Sequence, residues 1–156
     1  WSWKPYESSH RPSPLPPNRH ETTSGLGKNL MWRGFQTAHD KVDAFRDGRN
    51  RQSDDEFLAE CHLTGDPEAR RIGLAVRRAV AGVGLIDPLF IRASDRFPED
   101  LGVLPLWDSM DWMSLILELE RELETPPPST IEEWGPQGRF SVQQLAQAVY
   151  EQLTIR

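Results

Sequence analysis

The sequence predicts an all-α protein whose main domain is a small bundle of three or four helices. Three segments carry apolar residues at helical spacing, and each begins at a residue that can cap a helix. No segment shows a sustained strand pattern. At 156 residues with 37% hydrophobic side chains, the chain is long enough for one ordinary domain plus a tail.

The first and last helices of the bundle have clear start signals. Asp66-Pro67 begins the first, because proline is favoured at the first helical position. Its apolar stripe consists of Ile72, Ala75, Val76, Ala79, Val80 and Val83. Ser141 is the predicted cap of the last helix, whose inward residues are Val142, Leu145, Ala146, Val149 and Leu153.

The strongest helical pattern runs from Asp108 to Glu124. One face carries Trp112, Ile116, Leu119 and Leu123, and we expect Met113, Leu115 and Leu117 to widen it. Three prolines, Pro126 to Pro128, end this helix. A long loop, Ala93–Trp107, precedes it, and Thr130–Trp134 predicts one short turn of helix before the last helix.

We expect three regions along the chain. Residues 1–28 form a Pro-rich tail that is predicted to be disordered, because it cannot bury enough apolar surface to offset its ordering entropy. Residues 29–65 form a helical extension with helices at Asn29–Gly48 and Asp54–His62. The extension is too poor in apolar residues for its own core, so we expect it to pack on the main domain, residues 66–156, or on a missing partner.

The tail contains one recognisable short motif. Residues 11–17 read Arg-Pro-Ser-Pro-Leu-Pro-Pro, which fits an R-x-x-P-x-x-P ligand for a polyproline-binding domain. A stiff, extended linker is the interpretation we favour, because such patterns arise easily from composition.

Charge is distributed unevenly along the chain. The part from Phe97 onward contains eleven acidic residues and three arginines, a net charge of -8. The preceding part contains thirteen acidic residues and fifteen Lys or Arg, a net charge of +2. The acidic part argues against nucleic-acid binding and suits partners with basic docking surfaces. Arg70, Arg71, Arg77 and Arg78 lie on one helix and are predicted to form a solvated face. The alternative is that they dock onto the acidic helix of the same domain or onto a partner.

Several classes of site are not predicted. The four histidines stand far apart from one another, so we expect no metal site. No constellation of nucleophile, base and orienting group appears, so we do not expect an enzyme. With one cysteine, no signal peptide and no apolar run long enough to span a bilayer, we expect a cytoplasmic protein, as the soluble part of a longer chain.

The segment Asp108-Ser109-Met110-Asp111 opens the strongest helix. Asp108 can cap the helix and Asp111 can serve as its first-turn acid. Ser109 then lies at the helix start with its hydroxyl toward solvent. A phosphodiester on Ser109 would lie beside free backbone N–H groups and the positive end of the helix dipole.

In context, this segment resembles the acyl and peptidyl carrier protein family. The resemblance covers about residues 67–153 and rests on the helix order, the loop motif E-D-L-G at 99–102, the D-S-M-D segment and the ending E-L-E-R-E-L. It implies that Ser109 receives 4′-phosphopantetheine from coenzyme A, with Asp108, Met110 and Asp111 around it.

The resemblance also implies a function and partners. The arm would carry an acyl or aminoacyl group as a thioester, in fatty acid or polyketide biosynthesis. The implied partners are a phosphopantetheinyl transferase and acyl-handling enzymes, which would dock on Glu118, Glu120 and Glu122.

The chain departs from the family pattern at several places. Five residues, Val103 to Trp107, separate Gly102 from Asp108, and Ser114 and Arg121 stand where the family often has acids. The loop Gly135–Gly138 is longer than usual. The alternative is an unmodified carrier-like scaffold in which Ser109 is only a helix-start residue.

Overall fold

The computed structural model describes residues 37–104, 111–135 and 138–155. Helix α1 covers residues 37–47, followed by α2 (Asp54–Glu60) and α3 (Pro67–Val83). After the 3₁₀ turn Pro88–Phe90 and strand β1 (Arg96–Phe97) come α4 (Asp111–Leu123), α5 (Ser129–Trp134), strand β2 (Phe140–Ser141) and α6 (Val142–Thr154). The all-α prediction is confirmed. The predicted tail, 1–28, and residues 29–36 lie outside the described residues.

Local sequence explains where the helices begin and end. Ser53 and Ser141 each cap a helix, and both form capping boxes, with Glu56 and Gln144 respectively. The two hydrogen bonds from Ser53 lower the pKa of Glu56. Asp66 caps α3 with its carboxylate, and Pro67 follows at the first helical position.

Helix α3 is the central element of the bundle. It packs most extensively on α4 and then on α6. Its predicted stripe is buried, and Ala69, Gly73 and Ala81 are buried as well, so the helix contacts neighbours on more than one side. A Cβ atom on Gly73 would lie 2.7 Å from Leu58 Cδ2, which explains why a glycine allows α2 to approach so closely.

The extension shares its apolar residues with the rest of the fold. Phe45 of α1 and Phe57 and Leu58 of α2 belong to the same hydrophobic cluster as the residues of α3, α4 and α6. Helix α2 ends at Glu60, two residues before the predicted end. His62 takes a left-handed backbone conformation with φ of 58°, which turns the chain toward α3.

The strand pair is a feature that the periodicity does not predict. Arg96 pairs with Ser141 and Phe97 with Phe140, in antiparallel register. These two-residue strands interrupt the predicted loop Ala93–Trp107 and join it to the start of α6. They connect the loop to the start of α6 by backbone hydrogen bonds, and the protein remains mostly helical.

Four arginines predicted to form one solvated face have two different environments, so that prediction is wrong. Arg70 and Arg77 face α2, where they pair with Asp55 and Asp54. The next residue in each case faces elsewhere, since Arg71 donates to the Leu123 carbonyl oxygen and Arg78 pairs with Glu122. The seven-residue spacing places equivalent positions on the same side of α3, two turns apart.

Arg77 is buried, with only 1% of its surface exposed. It donates to the carbonyl oxygens of Gln52 and Ile91 and to the Asp54 carboxylate, and its guanidinium lies 4.6 Å from the centre of the Phe57 ring. Burial lowers the pKa of Arg77, while the hydrogen bond and charge of Asp54 raise it. These contacts provide hydrogen-bond acceptors and a negative charge for the guanidinium, which would otherwise be costly to bury.

In the part of the chain that the structure describes, no helix is long and apolar enough to cross a membrane.

Leu119→Ala should destabilise the fold by roughly 2–5 kcal/mol, because Leu119 is fully buried and its loss leaves a cavity. Leu117→Ala is the matched control on the same helix, since Leu117 is 61% exposed, and its effect should stay within about 0.5 kcal/mol. Denaturant unfolding of both variants measures the difference. Equal midpoints would mean that the buried face of α4 is wrongly assigned.

Arg77→Met should cost roughly 1–3 kcal/mol, because the buried Ile91 carbonyl loses its side-chain donor. Arg70→Met is the comparison: it removes an ion pair in which Asp55 is largely exposed, and should cost at most about 1 kcal/mol. The same unfolding measurement tests both. If the two variants are equally stable, the Arg77 cluster contributes no more than an exposed ion pair.

Candidate functional site

The predicted attachment segment stands immediately before α4. Asp108, Ser109 and Met110 lie outside the described residues, and of Asp111 only the backbone is described, as the first residue of α4. The chain on both sides of the segment is described. The site is therefore defined by the loop that leads into it and by the helix that leads out.

The E-D-L-G motif forms a tight turn in the incoming loop. The Asp100 carboxylate accepts from the Arg96 backbone N–H at 2.9 Å, and Leu101 is fully buried. The Gly102 N–H donates to the Pro98 carbonyl oxygen at 2.8 Å. A Cβ atom on Gly102 would lie 2.5 Å from that oxygen, so the turn requires glycine. Leu104, the last residue before the gap, is also buried.

Backbone hydrogen bonds attach the start of this loop to α6. The N–H groups of Val142 and Gln143 donate to the carbonyl oxygens of Asp95 and Ala93, both at 2.9 Å. The buried Asp95 carboxylate accepts from Arg49 at 2.6 Å and from the Arg92 N–H at 2.8 Å. Asp95 thus links the loop to α6 and to the residues that follow α1. The sequence analysis missed this role, since an isolated Asp in a loop gives no signal.

Four aromatic side chains, one each from β1, α4, α5 and β2, form a cluster. The Phe140 ring lies 4.7 Å from Phe97, 4.8 Å from Trp134 and 5.6 Å from Trp112, measured between ring centres. Trp112 is the second residue of α4 and is buried, as predicted. The cluster therefore holds the first turn of α4 against the rest of the fold.

Helix α4 runs antiparallel to α3. Arg78 pairs with Glu122 at 2.6 Å, while Gly82, one turn further along α3, faces Glu118, one turn back along α4. The buried face of α4 contains Trp112, Ile116, Leu119 and Leu123, as predicted, together with Leu115.

Met113 and Leu117 do not widen the buried face, so this part of the prediction is wrong. They are 62% and 61% exposed. The two residues lie one turn apart on the side of α4 that points away from α3. The helical period already places Leu117 roughly 130° from the middle of the stripe, so its exposure could have been predicted. Whether the flank of Met113 or that of Leu115 is covered depends on where α3 packs, which an isolated helical pattern does not reveal.

The three predicted docking carboxylates have different surroundings. Glu122 pairs with Arg78 and lies 3.2 Å from Arg121, and Glu118 pairs with Arg121 at 2.6 Å. Glu120 is exposed. Residues 118 and 122 share a side of the helix next to α3, whereas residue 120 lies roughly opposite. The acidic residues therefore do not form one continuous row.

The lone cysteine is fully buried among apolar side chains. Burial, and secondarily the charge of Glu60, raises the pKa of the Cys61 thiol to about 12. A thiol in this state is a poor nucleophile, because the thiolate is the reactive form. Within the described ranges, no group of three or more His, Cys, Asp and Glu side chains has the arrangement to hold a metal ion.

No family model, curated protein or solved structure matches this chain.

Cys61 should not react with a thiol reagent in the native protein at neutral pH, and should react fully in denaturant. The physical reason is its burial together with its raised pKa. Thr64→Cys is a suitable positive control, because Thr64 is exposed in the turn before α3. Rapid native labelling of wild type would show that Cys61 is accessible.

Proposed function

We propose that this chain is an acyl-carrier-like protein, in which Ser109 holds an acyl or aminoacyl group through a phosphopantetheine arm. The observation that carries the proposal is the position of the D-S-M-D segment. Ser109 stands two residues before Asp111, the first described residue of α4, a helix packed along the central helix of an all-α bundle. A serine at this point combines a nucleophilic oxygen with a rigid support.

The surroundings of the segment fit an attached arm. Val103, on the incoming side, is 55% exposed, and Met113, on the outgoing side, is 62% exposed. A transferase must reach the serine, and the arm must leave the protein surface. An exposed residue on each side of the segment is compatible with both requirements. Bound there, the group would supply a terminal thiol on which a carboxylic acid is carried as a thioester.

Loading requires a single phosphoryl-transfer step. The Ser109 oxygen forms a bond to the phosphorus of the phosphopantetheine portion of coenzyme A. The phosphoanhydride bond breaks, adenosine 3′,5′-bisphosphate leaves, and the serine proton passes to a base of the transferase. The chain itself then contributes a nucleophilic oxygen and its position, and no catalytic base.

The exposed side of α4 refines the expected docking surface. We propose that partner enzymes contact Met113, Leu117 and Glu120, with apolar contacts beside a carboxylate. Glu118 and Glu122 are engaged with Arg121 and Arg78, so a basic partner would have to compete with these internal ion pairs. The net charge of -8 from Phe97 onward still attracts basic partners at longer range.

The same ion pairs favour the second candidate function, an unmodified scaffold with a carrier-like fold. Their engagement makes α4 a less acidic surface than its sequence suggests. In this alternative Ser109 is only a residue at the start of a helix, and the protein acts through its surfaces alone.

Incubation of the full chain with coenzyme A and a broad-specificity phosphopantetheinyl transferase should add the mass of one phosphopantetheine group. Ser109→Ala should abolish the gain, because the attacking oxygen is lost, and Ser114→Ala is the matched control that should leave it intact. Intact-mass spectrometry with peptide mapping measures both. A wild-type chain that gains no mass with several transferases, or a Ser109→Ala variant that gains it, supports the scaffold instead.

A further inference from the structure

A groove lies along the side of α6 that faces α5, with a volume of about 550 Å³. The floor of the groove is formed by side chains that are partly or fully buried: Trp134, Phe140 and Ala148. Its rim is formed by polar side chains: Gln144, Gln147 and Glu151. The lining does not include Met113, Leu117 or Glu120, which belong to the docking surface proposed above. The groove is therefore a separate feature of the molecule.

The two aromatic rings of the floor are inclined to each other and are packed against further aromatic rings. The ring planes of Trp134 and Phe140 meet at 51°, with 4.8 Å between their centres. Phe140 is also fixed from behind by Phe97 and Trp112. Grooves lined by neighbouring aromatic rings are the surfaces on which proline-rich segments dock, since proline rings pack flat on them and the peptide is already extended.

The rim offers polar groups on the same helix. The Gln147 side chain donates to the Cys61 carbonyl oxygen at 3.2 Å, which holds it along the groove, and Gln144 is held by its capping contact with the Ser141 N–H. Glu151 is exposed at the far end. Arg139 also lines the groove, and its guanidinium lies 3.8 Å from Glu99. Arg139 thus has an acidic neighbour of its own, while the exposed Glu151 carboxylate is suited to a cation at the far end.

We propose that residues 11–17 of the same chain dock in this groove. In an extended polyproline helix, with three residues per turn, Arg11, Pro14 and Pro17 share one edge. The two prolines then contact the aromatic floor and Arg11 approaches Glu151. Arg11 and Pro14 are about 9 Å apart along such a helix. The polar rim on α6, from Gln144 to Glu151, extends over a comparable length of roughly 10 Å.

The connecting chain is long enough for this contact within one molecule. Residues 18–36 join the motif to α1. Residues 18–28 span up to about 36 Å when extended, and residues 29–36, for which the sequence predicts helix, add about 12 Å. A folded unit of about 120 residues has a diameter of roughly 35 Å. The connecting chain is therefore longer than the diameter of the folded unit. This inference goes beyond the proposed function and does not depend on modification of Ser109.

Spin labelling of the full, unmodified chain tests the proposal. A nitroxide attached to Ser9→Cys lies two residues from the motif, and buried Cys61 is not expected to compete for the label. With the label, the amide signals of Gln147, Ala148 and Glu151 and the Trp134 indole signal should lose intensity. Pro14→Ala combined with Pro17→Ala should restore them, whereas Pro5→Ala, outside the motif, should not.

Exchanging the charges of Arg11 and Glu151 tests the direction in which the motif lies in the groove, without changing the aromatic residues of the floor. Glu151→Arg should restore much of the lost intensity, and adding Arg11→Glu should bring the loss back. An unchanged unfolding midpoint for both variants shows that the groove is intact. The proposal is overturned if wild type shows no selective loss at the groove, or if the loss survives the double proline substitution. Loss seen only when labelled and ¹⁵N-enriched chains are mixed also overturns it, because the contact is then between molecules.

Discussion

The burial of one guanidinium group holds the N-terminal elements on the bundle. Arg77 lies in the middle of α3 and donates to backbone oxygens on both sides, at Gln52 before α2 and at Ile91 after the 3₁₀ turn. A carbonyl oxygen that would otherwise be buried without a donor finds one in this side chain. The Asp54 carboxylate and the Phe57 ring, both from α2, complete the cluster, so these contacts join α2 to α3.

A second polar centre determines how the loop enters the candidate site. The buried Asp95 carboxylate accepts hydrogen bonds from the Arg49 side chain and the Arg92 backbone N–H. The Asp95 carbonyl oxygen accepts a hydrogen bond from the backbone N–H of Val142, at the start of α6. The loop is thereby held on α6 before the E-D-L-G turn begins. The turn and the aromatic cluster then hold the two ends of the chain around residues 105–110. Under the proposed carrier function, these contacts would hold the described chain on both sides of Ser109 while the serine is presented to other proteins.

Helix α4 divides its surface between internal and external contacts. Its inner face is buried against α3 and the aromatic cluster, and its carboxylates at 118 and 122 pair with arginines of the same chain. Exposed apolar residues are left on the outside at 113 and 117. Apolar side chains on the surface of a rigid helix are a common basis for protein contacts. The proposed carrier function and the scaffold alternative would both use this face.

The sequence by itself determined the helices, because their signals are local. Caps at Ser53, Asp66 and Ser141 and the stripe through Leu119 require only neighbours along the chain. The attachment segment was also a sequence prediction and remains one, since Ser109 lies outside the described residues.

Only the tertiary structure decided which polar groups and flanks are covered. Four arginines with the same spacing look alike in the sequence, yet Arg77 is buried and Arg70 is not. Met113 and Leu115 flank the same apolar stripe on opposite sides, but only Leu115 is buried. The physical reason is that burial depends on contacts between residues far apart in the chain, such as Asp95 with Arg49 and Phe140 with Trp112. Periodicity along one segment carries no information about these contacts.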